Sequence, residues 1–337
     1  MAWPSASVAG ATITGAEAGV LHDGLMATTT DRLALARELD EAVNGFPENV
    51  PNALPQLADI LAMESNAKVI REVVVALGHA DDAKAVQLIL DQVRLDHPDA
   101  GVRLAIVQAL PNFIEGETPC RGPVIEALIT LTRDRSWKVR DWACFGLAFM
   151  DADSPESLDA LAARLNDIKG EIRHEALWGL ALAGDSRALP EMLQRLTGGT
   201  EGPGLHRQDL RAAIELANPT LHPLLLELGQ EWEGDDDEFT PLLALATFRS
   251  RPDAKAQAVI VEGELVSRVN ALLAPQGLTA KTVGEYPRTE LTFHSNDDKT
   301  PPIQTDSIWR DEQPWAYNVE QMAQSYVLTY ANETEER

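Results

Sequence analysis

Apolar and polar positions alternate along this chain with a period that predicts paired helices. A short pattern opens on an aliphatic residue, has a small or aliphatic residue at +4, and ends with a small residue and Leu at +7 and +8. Copies begin at Val69 (VIREVVVAL), Val102 (VRLAIVQAL), Val139 (VRDWACFGL), Ile172 (IRHEALWGL) and, more loosely, Leu210 (LRAAIELAN), at spacings of 33, 37, 33 and 38 residues. At about 100° per residue these positions share one helix face. The small residues Ala109, Gly146 and Gly179 leave room for a neighbouring helix. Each copy follows another amphipathic stretch: LPQLADILAM (54–63), KAVQLILDQV (84–93), PVIEALITLT (123–132), ESLDALAARL (156–165), RALPEMLQRL (187–196) and TLHPLLLELG (220–229). Asp, Asn, Gly and Pro fill the breaks between them, as helix ends require.

The unit is therefore an antiparallel helix pair. One pair cannot bury its own apolar face, and stacked pairs make a continuous core. A helix at 31–44 is expected as an N-terminal cap, and 220–231 with 237–249 as a degenerate sixth pair. Residues 1–30 are rich in Ala, Gly, Ser and Thr, keep no period, and read as a disordered leader; Met26 offers an alternative start. After Arg251-Pro252 the pattern breaks. A helix is expected at 254–274, one or two strands within LTAKTVGEYPRTELTFH (278–294), a polar loop at 295–304 and a last helix at about 314–330. The expected organisation is a leader (1–30), a repeat domain (31–250) and a C-terminal appendage (251–337).

The phrases LTRDRSWKVRDWACFGLA (131–148) and RLNDIKGEIRHEALWGLA (164–181) resemble HEAT repeats, in particular the bacterial HEAT-like repeats related to phycobilin-lyase proteins. The likeness covers about 54–217 well and 218–250 poorly. It implies an all-α fold: a right-handed α-solenoid of HEAT-like helix pairs, with a small α+β C-terminal appendage. It also implies an Asp–Arg ladder between successive repeats. An acid precedes each second helix (Glu64, Asp96, Asp134, Asp167), and Arg stands at position +1 in four copies (Arg103, Arg140, Arg173, Arg211). In the first copy Ile70 takes that slot and Arg71 follows it. An Asp there can cap free helix amides, and an Arg can bridge carboxylates bidentately. A basic binding stripe is the other reading of the same arginines; the repeat logic favours the ladder.

The resemblance further implies that second helices line a concave surface. Positions +2 and +6 project away from the packed stripe, giving Arg71, Leu104, Asp141, His174 and Ala212 at +2, and Val75, Gln108, Phe145, Trp178 and Leu216 at +6. A binding groove is expected from Arg71, Leu104, Asp141, Phe145, His174 and Trp178, centred on the two aromatics.

Charge narrows the partners. With 53 Asp plus Glu against 28 Lys plus Arg the formal net charge is −25, which repels phosphate backbones and attracts basic proteins. The expected role is a non-enzymatic scaffold or adaptor for a basic protein partner. A sharper form is an immunity or inhibitor protein for a basic toxin or nuclease. Two enzymatic alternatives attach to the fold. Trp137, Asp141, Arg173 and Trp178 resemble the set used by HEAT-like DNA alkylation-repair glycosylases, but those enzymes need a basic channel. A bilin lyase would need a roomy apolar groove, and the sequence holds no identifiable bilin-handling residue.

No nucleophile elbow, phosphate loop, dinucleotide fingerprint or HExxH motif occurs, so no catalytic residue is expected. The seven histidines are scattered, and Cys120 and Cys144 form no CxxC pair, so no metal or cofactor is expected either. The first basic residue is Arg32 and no apolar run reaches the roughly 18 residues of a membrane span. Nucleic acid and membrane are thus not expected as partners, and the location expected is cytoplasmic.

Overall fold

The computed structural model describes residues 28–113, 120–198, 205–232, 239–287, 289–295, 303–304, 308 and 323–324. The expected leader up to residue 27, residues 233–238 and nearly all of the 314–330 helix lie outside the described residues. The chain forms two compact units, Met1–Ala183 and Gly184–Arg337.

The first unit is an α-solenoid. Helix α1 (Thr29–Val43) precedes four pairs: α2 (Val50–Met63) with α3 (Ala67–His79), α4 (Ala83–Gln92) with α5 (Ala100–Ala109), α6 (Arg121–Leu131) with α7 (Trp137–Phe149), and α8 (Pro155–Ala162) with α9 (Gly170–Leu182). The helices α1, α3, α5, α7 and α9 pack side by side in that order. The repeated aliphatic positions supply the core: Val69, Val102, Val139 and Ile172 are fully buried, as are Leu77, Leu110, Leu147 and Leu180 at +8. Each such side chain contributes roughly 1.5–3 kcal/mol on leaving water. Asn66, Asp82, Asp99 and Ser154 cap the starts of α3, α4, α5 and α8 by accepting first-turn amides. Asp81 and Asp151 take left-handed conformations just past the ends of α3 and α7, turning the chain there.

Small residues set the spacing of the stack. A Cβ at Gly78 would lie 3.0 Å from Ala109 Cβ and 3.4 Å from Ala109 Cα, with no side-chain torsion that could move Ala109 aside. Gly78→Ala is therefore expected to lower stability by about 1 kcal/mol, overpacking outweighing the gain in helix propensity. Urea denaturation checks it, and adding Ala109→Gly should recover most of the loss. A more stable single variant would mean that α3 and α5 separate freely.

An arginine–carboxylate ladder ties successive second helices together. Arg103 binds Asp134 through two bonds of 2.7 and 3.0 Å, and Arg140 binds Asp167 through two of 2.9 and 3.0 Å. The third guanidinium nitrogen turns back to a loop carbonyl, from Arg103 to His97 and from Arg140 to Asp134; Arg173 makes the same turn to the Asp167 carbonyl. The acids also serve their own loops: Asp134 accepts from the Ser136 amide and Asp167 from the Lys169 amide. Burial alone would raise both carboxyls, but these bonds hold them below the usual carboxylate range.

Two positions differ from expectation. Asp96 makes no rung: it pairs with Arg94 at the surface, its side chain 75 % exposed, and Asp99 caps α5 instead. The reason lies opposite it. The slot on α3 that would reach Asp96 holds Ile70, which is buried and can donate nothing. Conversely α1 is more than a cap, because Arg32 binds Glu64 at 2.6 Å and so occupies the ladder slot.

The second unit holds α10 (Ala188–Thr197) with α11 (Arg207–Leu216), and α12 (His222–Glu231) with α13 (Phe239–Arg249). Arg195 bridges α10 to Asp209, and Asp209 closes a capping box with His206. Arg211 is exposed on α11. The appendage begins with α14 (Ala254–Leu273), which packs on an antiparallel sheet β1 (Leu278–Val283), β2 (Glu290–Ser295), β3 (Ile303–Gln304) in that order. The stretch 295–304, expected as loop, thus ends in a strand, with Ile303 opposite Phe293. Leu265, Val269, Leu273, Ala280, Leu291 and Phe293 form the core, and the Asn270 amide both donates to and accepts from the Ala280 backbone.

Candidate functional site

The ridge of α7 that faces away from the core carries Trp137, Asp141, Phe145 and Phe149, each four residues from the last. On a helix that spacing lines side chains up along one edge. The neighbouring helix α9 presents Glu171, His174 and Trp178. The rings meet across the two helices: Phe145 stacks on Trp178 at 6.2 Å between centroids, and on Phe149 at 5.8 Å. Trp142 stands edge-on to Phe145 at 5.4 Å. Such contacts contribute about 0.5–1.5 kcal/mol each beyond burial. Yet the cluster is not core. Phe145 and Trp178 are half-buried, and Phe149 and Trp137 are 58 and 37 % exposed.

Asp141 lies within this ridge and is partly exposed. Its Oδ1 is buried and meets no hydrogen-bond donor among the described residues. Burial pushes its carboxyl up to about 6; the charge of Glu171 adds to the rise and His174 opposes it. A half-desolvated carboxylate beside another acid is an unfavourable arrangement for the free chain, and a cation arriving from outside would relieve it. The face already draws the chain's own cations: the ammonium groups of Lys169 and Lys138 lie 5.3 and 5.8 Å from the Trp137 ring centre.

Of the other residues singled out in the sequence, Arg71 is exposed on α3, reaching Glu72 at 3.3 Å, and Leu104 is half-buried on α5. They stand on successive second helices leading up to α7, outside the ring cluster. His174 is buried at the start of α9 and acts on Asp141 through its charge. Sequence reasoning did not name Trp142, Phe149 or Glu171 for this face. The signal for Phe149 was the four-residue spacing from Trp137 through Asp141 and Phe145. Cys144 is fully buried, and burial pushes its thiol up, which directs it to the core and away from the ridge.

Among the described residues no helix is long and apolar enough to cross a membrane. Comparison with known proteins fits the repeat geometry. A family model described as HEAT repeats matches residues 125–204, the stretch that spans α6 to α10. Protein YibA of Escherichia coli (strain K12) is 33 % identical over 101 residues, which are 30 % of this chain and 35 % of YibA; the chain thus spans about a third of the length of the curated relative it matches. Among solved structures, the X-ray structure of YibA is 20 % identical with a TM-score of 0.48, covering 69 % of this chain and 85 % of that one. The complex of CpcE and CpcF of phycocyanin lyase from Nostoc sp. PCC7120 is 15 % identical with a TM-score of 0.42, covering 73 and 98 %. Residues 125–204 are thus matched as HEAT repeats, and helix pairs of the same plan are stacked ahead of them.

Proposed function

We propose that this chain is a non-enzymatic binding scaffold that takes up a basic protein partner on the second-helix face of α7 and α9. One observation carries the reading: half-exposed aromatics share a ridge with Asp141, whose buried Oδ1 meets no donor among the described residues. Aromatic anchors next to desolvated charge are the composition of binding hot spots. The net charge of −25 favours basic partners, because complementary fields steer encounter and suppress wrong pairings. The same field opposes a nucleic-acid role, which would need a local run of basic side chains. An inhibitor of a basic toxin or nuclease in the cytoplasm is the narrow form of this reading.

The double variant Phe145→Ala/Trp178→Ala tests it. Both side chains are half-buried, so the variant should keep a cooperative melt while losing most of its capture of basic proteins from an extract of the native host. Capture by the unaltered chain should weaken steeply with salt. A variant that unfolds outright would make the rings structural, and unchanged capture would move the partner to another face.

A further inference from the structure

Within that reading the ridge can be taken one step further, to the chemical group it receives. We propose that Asp141 and Glu171, beside the stacked rings of Phe145 and Trp178, form a subsite for an arginine side chain of the partner. This rests on the protein-binding role proposed above and names the group that would anchor it.

Three observations converge on a cation. Asp141 Oδ1 is shut off from water and meets no donor among the described residues, while the residue as a whole remains partly exposed and open to approach. Glu171, exposed in the first turn of α9, adds a second negative charge near Asp141; His174 acts in the opposite sense. The lysines over Trp137, four residues along the ridge, show that this surface holds positive charge on an aromatic face.

The rings decide between the two basic side chains. Phe145, one helical turn from Asp141, stacks on Trp178 at an inclination of 30°, and both rings are partly open to solvent, so the pair offers an apolar wall near that carboxylate. A guanidinium is planar and weakly hydrated. It can lie on such a wall while its several N–H groups donate to the accessible carboxylate oxygens beside it. An ammonium is a compact, strongly hydrated point charge and gains less from the ring face.

The test is calorimetric titration of the full chain with hexa-arginine, hexa-lysine and hexa-citrulline. Citrulline keeps the shape of arginine without its charge. Hexa-arginine should bind more tightly than hexa-lysine, and hexa-citrulline should not bind measurably. Asp141→Asn should weaken hexa-arginine about tenfold, the loss expected for one partner of a partly desolvated charge pair. Asp59→Asn removes the same charge from an exposed site on α2 and should change binding less than about twofold, as surface charges do. Melting curves of both variants guard against loss by unfolding. Equal weakening by the two variants would reduce the effect to diffuse charge and overturn the subsite, as would unchanged binding by Asp141→Asn. If the subsite fails in this way while Phe145→Ala/Trp178→Ala still loses capture of its partner, the scaffold reading stands and only the arginine assignment falls.

Discussion

Asp134→Ala is expected to lower the stability of the repeat stack by about 3–5 kcal/mol, the range for stranding one member of a buried ion pair. Its partner Arg103 is 2 % exposed and Asp134 only 8 %, so the guanidinium has no route to water once the carboxylate is gone. The loss also removes the acceptor for the Ser136 amide at the start of α7. In a stack each interface supports the next, so the damage should appear as a loosened α5–α7 junction, seen as faster amide exchange there before global unfolding. Asp96→Ala supplies the contrast. It deletes the same group one repeat earlier, but from an exposed pair, and should leave the urea midpoint nearly unchanged. Equal effects of the two substitutions would mean that the rungs do not hold the stack. The rungs also make the stack acid-sensitive. Glu64, Asp134 and Asp167 all titrate below their usual range in the folded chain. Stability from such groups is present above the unfolded pKa and is lost as pH falls through the lower folded value.

The ladder also marks how far the sequence could be read. Its period, its helix pairs and its buried positions were legible because one face repeats the same apolar spacing, and stacking leaves that face a single solution. The terminal helix α1 was legible as a helix but not as a ladder member. Arg32 has no upstream copy to be compared with, and its partner Glu64 lies 32 residues away. Before α5 stand two acids, Asp96 and Asp99, and spacing alone cannot choose between them. What chooses is the residue across the interface, Ile70, which turns a rung into an apolar contact and leaves Asp99 to cap the helix. Strand β3 escaped because two residues carry no alternation, and only its pairing with Thr292 and Phe293 of β2 defines it. At the candidate site, the edge of α7 was spelled out by residues four apart. Phe145 and Trp178 were named together from the same +6 position of successive repeats, but the stacking of their rings was not legible, because it depends on the offset between two helices.

The Asp141 carboxylate at the centre of that ridge has a consequence for stability that runs opposite to its proposed use. Asp141→Asn is expected to stabilise the free chain at pH 7.5. The folded carboxyl titrates at about 6 against an ordinary 3.8, burial being the main cause and Glu171 the next. Folding therefore favours the protonated form, and the contribution to stability is complete below the unfolded pKa and is lost as pH rises through about 6. Taken at face value the difference is about 3 kcal/mol. Because Asp141 is partly exposed, solvent screening reduces it, and a gain of about 1–2 kcal/mol is the expectation for the variant. The neutral amide keeps the shape of the side chain and removes a charge that His174 offsets only in part. Paired urea denaturations of native and variant chains at pH 7.5 and pH 4 measure this directly: the gain should be present at the first and largely gone at the second. A variant less stable at pH 7.5 would mean that the carboxylate is already held by the chain, which would leave an incoming cation nothing to relieve. A variant that folds better and binds worse would mark Asp141 as a residue whose charge costs stability in the free chain and serves a partner, the trade-off common at functional sites.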